Sequence, residues 1–298
     1  MANAITQITK YIPYLDEVYK MESRTAVLET PADFVRETLD AKTVLVAKTS
    51  MNGLANYDRS NGFVNGDVTL TWESHTFAFD RGRSFQIDAC DDMETVGLAF
   101  AGVSSQFLRT QVVPEIDAVR FAAYATAAIG AGNTKSAVLT KETVDDAILE
   151  AETVMGEAEV NLENAYLFIT PTVYGMVKAS PSFTRTLVPS ENPNRNFGEY
   201  DNMPVIVVPQ SRFYTAVTLN DGKTSTQEVG GYVKNGEEIN FMIVDPAAVM
   251  QITKHAKLRV FEPDVNQSAD AYKIDYRIYH DAWVLGNKAK GIYAHTKA

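Results

Sequence analysis

Apolar and polar residues change rhythm several times along this chain, and each change marks an element. Val68, Leu70 and Trp72 alternate with Thr69, Thr71 and Glu73. A period of two predicts a strand with one apolar face. Residues 43–49, Thr-Val-Leu-Val-Ala-Lys-Thr, predict a partner strand. Between the two lie Asn-Gly pairs at 52–53, 61–62 and 65–66, which are turn signals. By Phe77 and Phe79 the apolar phase has moved from even to odd positions. One strand face cannot stay buried through that shift without a bulge or a sharp twist. The outer part of this hairpin is therefore expected to pack on a different surface from its base.

From residue 88 the rhythm becomes helical. Val96, Phe100, Val103 and Phe107 form one stripe, and Leu98, Ala101, Ser105 and Leu108 a weaker second one. Two stripes predict a long helix buried from more than one side. Pro114 lacks an N–H and its ring crowds the preceding turn, so it should kink or restart this helix. Alanines at 118, 122, 123, 125, 127 and 128 permit close backbone approach, and Gly130-Ala131-Gly132-Asn133 should end the element. Asp88, Asp91, Asp92 and Glu94 crowd its start. Capping and dipole compensation explain them better than a cation site, because the ligand order of a calcium loop is missing.

The rest reads as a small α/β lobe followed by long strands. Residues 140–160 predict a helix with Val144, Ala147, Ile148, Ala151, Met155 and Ala158 on one face and Thr140 as N-cap. Buried strands are expected at 165–170, 204–208 and 241–244, a short helix from Pro171, a Pro- and Asn-rich loop at 180–202, and a surface hairpin or loop at 214–240. Strands are expected at 249–254, 258–261, 272–279 and 289–293, forming an antiparallel set beneath the long helix. At the N-terminus Tyr11, Ile12, Tyr14, Leu15, Val18 and Tyr19 make a stripe interrupted by Pro13. It reads either as an arm that docks elsewhere or as a helix on its own core.

Composition narrows the function. The 298 residues suffice for one large or two modest domains, and 45% apolar with 22% charged residues is ordinary for a globular protein. A net charge of −11 does not suit a surface built to grip nucleic acid, though it suits a wall beside it. The single cysteine, Cys90, excludes an internal disulfide and a cysteine-rich zinc site, and reads as a small buried residue. No signal peptide or membrane span is evident. There is no phosphate loop, dinucleotide fingerprint or nucleophile elbow, and His75, His255, His280 and His295 are scattered. No catalytic, cofactor or metal residue is assigned, and no enzyme activity is expected. Lys254-His255-Ala256-Lys257-Leu258-Arg259, the most basic run, reads as edge-strand lysines or as a face toward nucleic acid. Arg81-Gly82-Arg83 reads either as a pair of cations for acids on a neighbouring subunit or as a solvated turn.

Gly66-Asp-Val-Thr-Leu-Thr-Trp-Glu73, Asp80-Arg-Gly-Arg-Ser-Phe-Gln-Ile-Asp88 and Val112-Val-Pro-Glu-Ile-Asp-Ala-Val-Arg-Phe121, in this order, resemble the major capsid proteins of tailed bacteriophages with the Hong Kong 97-type shell fold. The resemblance implies an α+β fold: an N-terminal arm (1–42), an extended β-hairpin loop (43–87), a spine helix (88–132), an axial α/β domain (133–245) and peripheral antiparallel strands (246–298). It implies a subunit that self-assembles into hexamers and pentamers of an icosahedral head around double-stranded DNA, formed in the host cytoplasm and carried in the virion. Portal protein, a separate scaffold and decoration proteins are the implied partners, with no membrane. Asn52, Leu54, Tyr57, Arg59, Phe63, Arg81 and Arg83 are the candidate inter-subunit contacts. Only about 40 residues precede the hairpin, well short of a domain of ~100 residues, so removal of a large N-terminal segment is not expected. Nothing marks a Lys–Asn pair for cross-linking. An encapsulin-like shell around protein cargo is the alternative within the fold, and a soluble α/β enzyme the alternative outside it.

Overall fold

The computed structural model describes residues 22–30, 36–37, 43–60, 62–90, 106–180 and 199–298. In chain order they form strands β1 (Arg36–Glu37), β2 (Thr43–Met51), β3 (Val68–Thr76) and β4 (Phe79–Asp88). A π-turn (Leu108–Val112) then leads into helix α1 (Val113–Ala131). Next come β5 (Thr134–Ser136), α2 (Val144–Glu157), β6 (Tyr166–Ile169), α3 (Pro171–Ala179), β7 (Glu199–Tyr200), β8 (Met203–Val207) and β9 (Tyr214–Leu219). Long strands β10 (Tyr232–Val244), β11 (Val249–Phe261) and β12 (Ala271–Val284) and a last strand, β13 (Ile292–Thr296), complete the α+β fold.

The largest sheet has the order β5-β13-β10-β6-β8-β7, with β9 on the outer half of β10. Strands β6, β8 and the inner half of β10 read as unbroken apolar runs because both faces are covered there. Phe168, Ile206, Met242, Val244, Ile292 and Ala294 face α1, where they meet Phe121, Tyr124, Ala125 and Ala128. Their alternates Leu167, Ile169, Val205, Phe241, Ile243 and Tyr293 face α2 and α3, meeting Ile148, Met155, Val173 and Val177. The period-two register thus divides one sheet between two cores. The β6–α3–β8 unit is parallel as expected, and the Thr170 hydroxyl caps α3 by accepting from the Val173 N–H.

Proline shapes α1 without breaking it. The Val113 N–H bonds back to Leu108 O, an i→i+5 closure just ahead of Pro114. A π-turn there gives room to a ring that an α-helical carbonyl would meet. Ala118, Ala122, Ala125 and Ala128 are buried, and Gly132 at φ 76° caps the C-terminus, donating to Ile129 O. Residues 22–30 belong to this body too: Leu28 lies in the core, and Thr30 links to Val249 O and the Gln251 N–H.

A second sheet, β11-β12-β4, runs beneath the helix. A third, β1-β2-β3, contains the hairpin arm. The phase shift at Phe77 is the point where the chain changes sheets: β3 ends at Thr76 and β4 begins at Phe79. The intervening Ala78 N–H is held by Asp281 at 2.8 Å.

Several expectations need correction. Residues 249–261 are one strand with a bulge between Thr253 and His255, because pairing with β12 continues past the polar interruption. Of the two readings of 214–240, the hairpin is the one that forms, with β9 and β10 paired antiparallel. Residues 286–291 form a 3-10 turn, and the strand beyond it leaves the peripheral set to pair with β10 and β5 in the large sheet. There Tyr293 and its neighbours are buried on both faces. Helix α2 starts at Val144, one turn later than a Thr140 cap requires, with Thr140 supplying its carbonyl to the Val144 N–H. Cys90 is exposed, on the first residues past the end of β4. The 11–19 stripe, the first three positions of the 96–107 stripe, the acids at 91–94 and most of the 180–202 loop lie outside the described residues. Asp88 is described, and its carboxylate accepts from the Cys90 N–H at 2.9 Å as a cap.

Candidate assembly surfaces

The arm is ordered by its backbone ladder and little else. Strands β2 and β3 pair in unbroken register from Thr43↔Thr76 to Met51↔Val68. Beyond Met51 the Asn52 N–H donates to Asp67 O, and Asp58 and Gly62 exchange two backbone bonds around a turn in which Gly62 takes φ 81°. Tyr57 and Phe63 meet edge to face at 4.8 Å across this turn. The root is well packed. Val44 is buried, and His75 and Phe77 lie against Trp283 at 5.3 and 5.1 Å.

Outward from the root the apolar side chains lose their cover. Trp72 is 45% exposed, Leu70 57%, Phe63 88% and Leu54 fully exposed. Exposed apolar side chains in such number make the arm a candidate contact surface. Asn52, Leu54, Tyr57, Arg59 and Phe63 are all exposed in this tip segment, with Tyr57 against Phe63. The sequence reading stopped short of Met51, Val64, Val68, Leu70 and Trp72, which extend the same exposed surface. Their alternation was legible in the sequence.

Arg81 and Arg83 sit elsewhere, on β4 against the body. Arg81 grips Glu115 with a two-bond fork, Nε to Oε1 at 2.7 Å and Nη2 to Oε2 at 3.2 Å. It also donates to Asn220 O at 2.7 Å and Gly231 O at 3.3 Å. These bonds fasten β4, the first turn of α1 and the β9–β10 turn to one another. Within one chain Arg81 thus forms an internal clamp on a strand, and not the solvated turn that was one of its two readings. Arg83 is exposed, with both terminal nitrogens 3.2 Å from Glu228 O. The basic run 254–259 lies on β11, the edge strand of its sheet, with Lys257 and Arg259 exposed.

Beneath α1 is an ion cluster that pattern reading missed. Asp117 is fully buried and accepts from Ser23 Oγ and Thr25 Oγ1, each at 2.8 Å, from the Arg24 N–H at 3.0 Å and from Arg212 Nη1 at 2.9 Å. Arg120 reaches Thr25 and Thr253 from the next turn. An acid among the apolar residues of Ile116–Phe121 was the available signal, but its partners are 92 to 95 residues away.

The buried titratable groups elsewhere serve the body. Burial and the Arg120 charge push His280 down to about 4, and burial with Lys135 does the same to His295. His295 Nδ1 pairs with the Asn240 amide at 3.1 Å. Burial first, and then the facing Asp201, raise Glu152 to about 7. Among the described residues no group of three His, Cys, Asp or Glu side chains is placed to hold a metal ion, and no helix is long and apolar enough to cross a membrane.

No family model matches the sequence, and no curated protein matches it. Solved structures do match the fold over nearly its whole length. The asymmetric unit of the bacteriophage PhiM1 mature capsid aligns with TM-score 0.68 at 12% identity, covering 98% of this chain and 92% of that one. The capsid structure of cyanophage P-SCSP1u aligns with TM-score 0.66 at 11% identity over 99% and 93%. A chain from Mycobacterium phage Che8 aligns with TM-score 0.61 at 10% identity over 99% and 98%. The order of arm, long helix, covered sheet and long outer strands in this chain is thus the fold of phage capsid structures.

Proposed function

We propose that the chain is the structural subunit of an icosahedral phage head, forming hexamers and pentamers that enclose double-stranded DNA. The observation that carries the reading is the arm: a hairpin of two nine-residue strands whose apolar side chains are buried at the root and bare toward the tip. Such a surface marks a place for contact, and in a shell another copy covers it. The likeness to phage capsids supports the same reading. In it, residues 1–42 are the N-terminal arm, 43–87 the extended loop, 88–132 the spine, 133–245 the axial domain and 246–298 peripheral strands, the last of these strands returning to the axial sheet. Asn52, Leu54, Tyr57, Arg59 and Phe63 are the contacts offered to a neighbour. The wall acts by containment and performs no catalysis. Portal, scaffold and decoration proteins are its further partners, the virion its location and the host cytoplasm its place of assembly.

Electron microscopy of the expressed chain tests the proposal. Closed shells are expected, and a chain lacking residues 51–66 should fold and remain unassembled. Shells formed normally by the deletion would count against it, and shells that hold protein instead of nucleic acid during infection would favour a cargo compartment.

A further inference from the structure

Polar side chains meet between α1 and the β11–β12 pair, and they do not satisfy one another. Arg120 and Tyr124, four residues apart on α1, stand over Gln251, Thr253 and His280. In the register of the two strands Thr253 lies opposite His280 and Gln251 opposite Ala282, so these side chains share one sheet face. Arg120 spans the gap, with Nη1 donating to Thr25 Oγ1 at 3.0 Å and Nη2 to Thr253 Oγ1 at 3.3 Å. It lies close enough to Tyr124 and His280 to act on their titration, and Gln251 faces the Tyr124 hydroxyl. Tyr124, Gln251, His280 and Arg120 are 0%, 0%, 1% and 4% exposed. Yet Arg120 Nε, Tyr124 Oη, Gln251 Oε1 and Nε2, and His280 Nδ1 are buried without a hydrogen-bond partner among the described residues. Buried polar atoms are almost always paired, so a group of orphans in one place points to a ligand.

Charge in the same region is unbalanced. The buried Asp117 carboxylate is taken by Arg212, and Arg24 adds another guanidinium beside them, with Glu22 near it at the surface. The hydrogen bonds of Arg120 go to hydroxyls. A buried cation without a counter-ion is costly, and a small anion relieves that cost. A water molecule would satisfy the orphaned atoms and leave the charge. We propose that a small inorganic anion of halide size, chloride in the cell, is bound beneath α1 by Arg120, Gln251 and His280. Arg120 Nε, Gln251 Nε2 and the neutral His280 ring through its Nδ1–H donate to the ion, and the Tyr124 hydroxyl donates to Gln251 Oε1. All the orphaned atoms of these four side chains are then paired, and Arg120 has its counter-charge. The ion ties the long helix to the two outer strands, so it stabilises the folded chain by mass action.

The test is thermal unfolding of the full chain with chloride exchanged for gluconate, an anion too bulky for the site, at fixed ionic strength. The midpoint should rise with chloride and then level off. Gln251→Leu removes one donor and should weaken the apparent chloride affinity about tenfold, and Arg120→Met should abolish the response. A flat midpoint in the unsubstituted chain overturns the site. So does an equal rise in the substituted chains, which is a general salt effect. If neither variant folds, the chloride NMR linewidth of the unsubstituted chain decides. Broadening that saturates over the same chloride range as the thermal response supports the site, and broadening that never saturates, or none, overturns it. Neither readout requires shells, so the ion site and the shell reading stand or fall separately.

Discussion

Asp117 Oδ2 and Arg212 Nη1 lie 2.9 Å apart with their side chains 0% and 2% exposed, an ion pair sealed beneath the long helix. Four further donors from residues 23–25 converge on the same carboxylate. The pair therefore joins the helix, the β8–β9 connection and the N-terminal segment. Removing the acid leaves Arg212 buried without its counter-charge beside Arg24 and Arg120. Asp117→Ala should lose about 3–5 kcal/mol in urea unfolding, and early cleavage by trypsin near Arg24 should accompany it.

The Arg81–Glu115 fork is partly buried, and two carbonyls depend on the same guanidinium. Lysine cannot reproduce a planar fork. Arg81→Lys should cost about 1–3 kcal/mol and raise hydrogen exchange in the 220–231 turn, with little change in the β2–β3 arm.

Acid should weaken the body through two histidines. Their folded values, about 4, lie below the ordinary 6.5, so the unfolded chain binds more protons between those limits. Stability is complete above about pH 6.5 and declines as pH falls toward about 4, by at most ~3 kcal/mol per group. His295→Gln should flatten this slope in a denaturation series from pH 7 to 4.

Glu152 acts in the opposite sense. Its folded value near 7 exceeds the ordinary 4.5. The folded chain therefore holds the proton more tightly, and stability is lost as pH rises from about 4.5 through 7. Glu152→Gln removes an ionisation that the folded state resists. It should raise the melting temperature at pH 8 and leave it unchanged at pH 4.

The tip should separate stability from assembly. Phe63→Ser and Leu70→Ser alter side chains that are already more than half exposed. Each should shift monomer unfolding by about 0.5 kcal/mol or less while sharply reducing the yield of shells in micrographs.

Local pattern carried much of the fold. The period-two stretch at 68–73, the alanine-rich helix ending at Gly132 and the β6–α3–β8 unit are each specified by residues near one another in the chain, and each formed as expected. Sheet membership was less legible. Residues 289–293 have a strand-like composition, yet a 3-10 turn and a distant strand claim them, because β10 presents an unpaired edge that only the assembled sheet supplies.

The sequence by itself determined the succession of elements, the place where the arm changes face, and the exclusion of disulfide and cysteine-rich zinc chemistry. These follow from backbone geometry and side-chain type over a few residues. Only the tertiary structure decided that Arg81 turns inward to Glu115 and that Asp117 gathers donors from residues 23–25 and Arg212. A charge finds its partner, and an apolar face its cover, in three dimensions, where separation along the chain no longer measures distance.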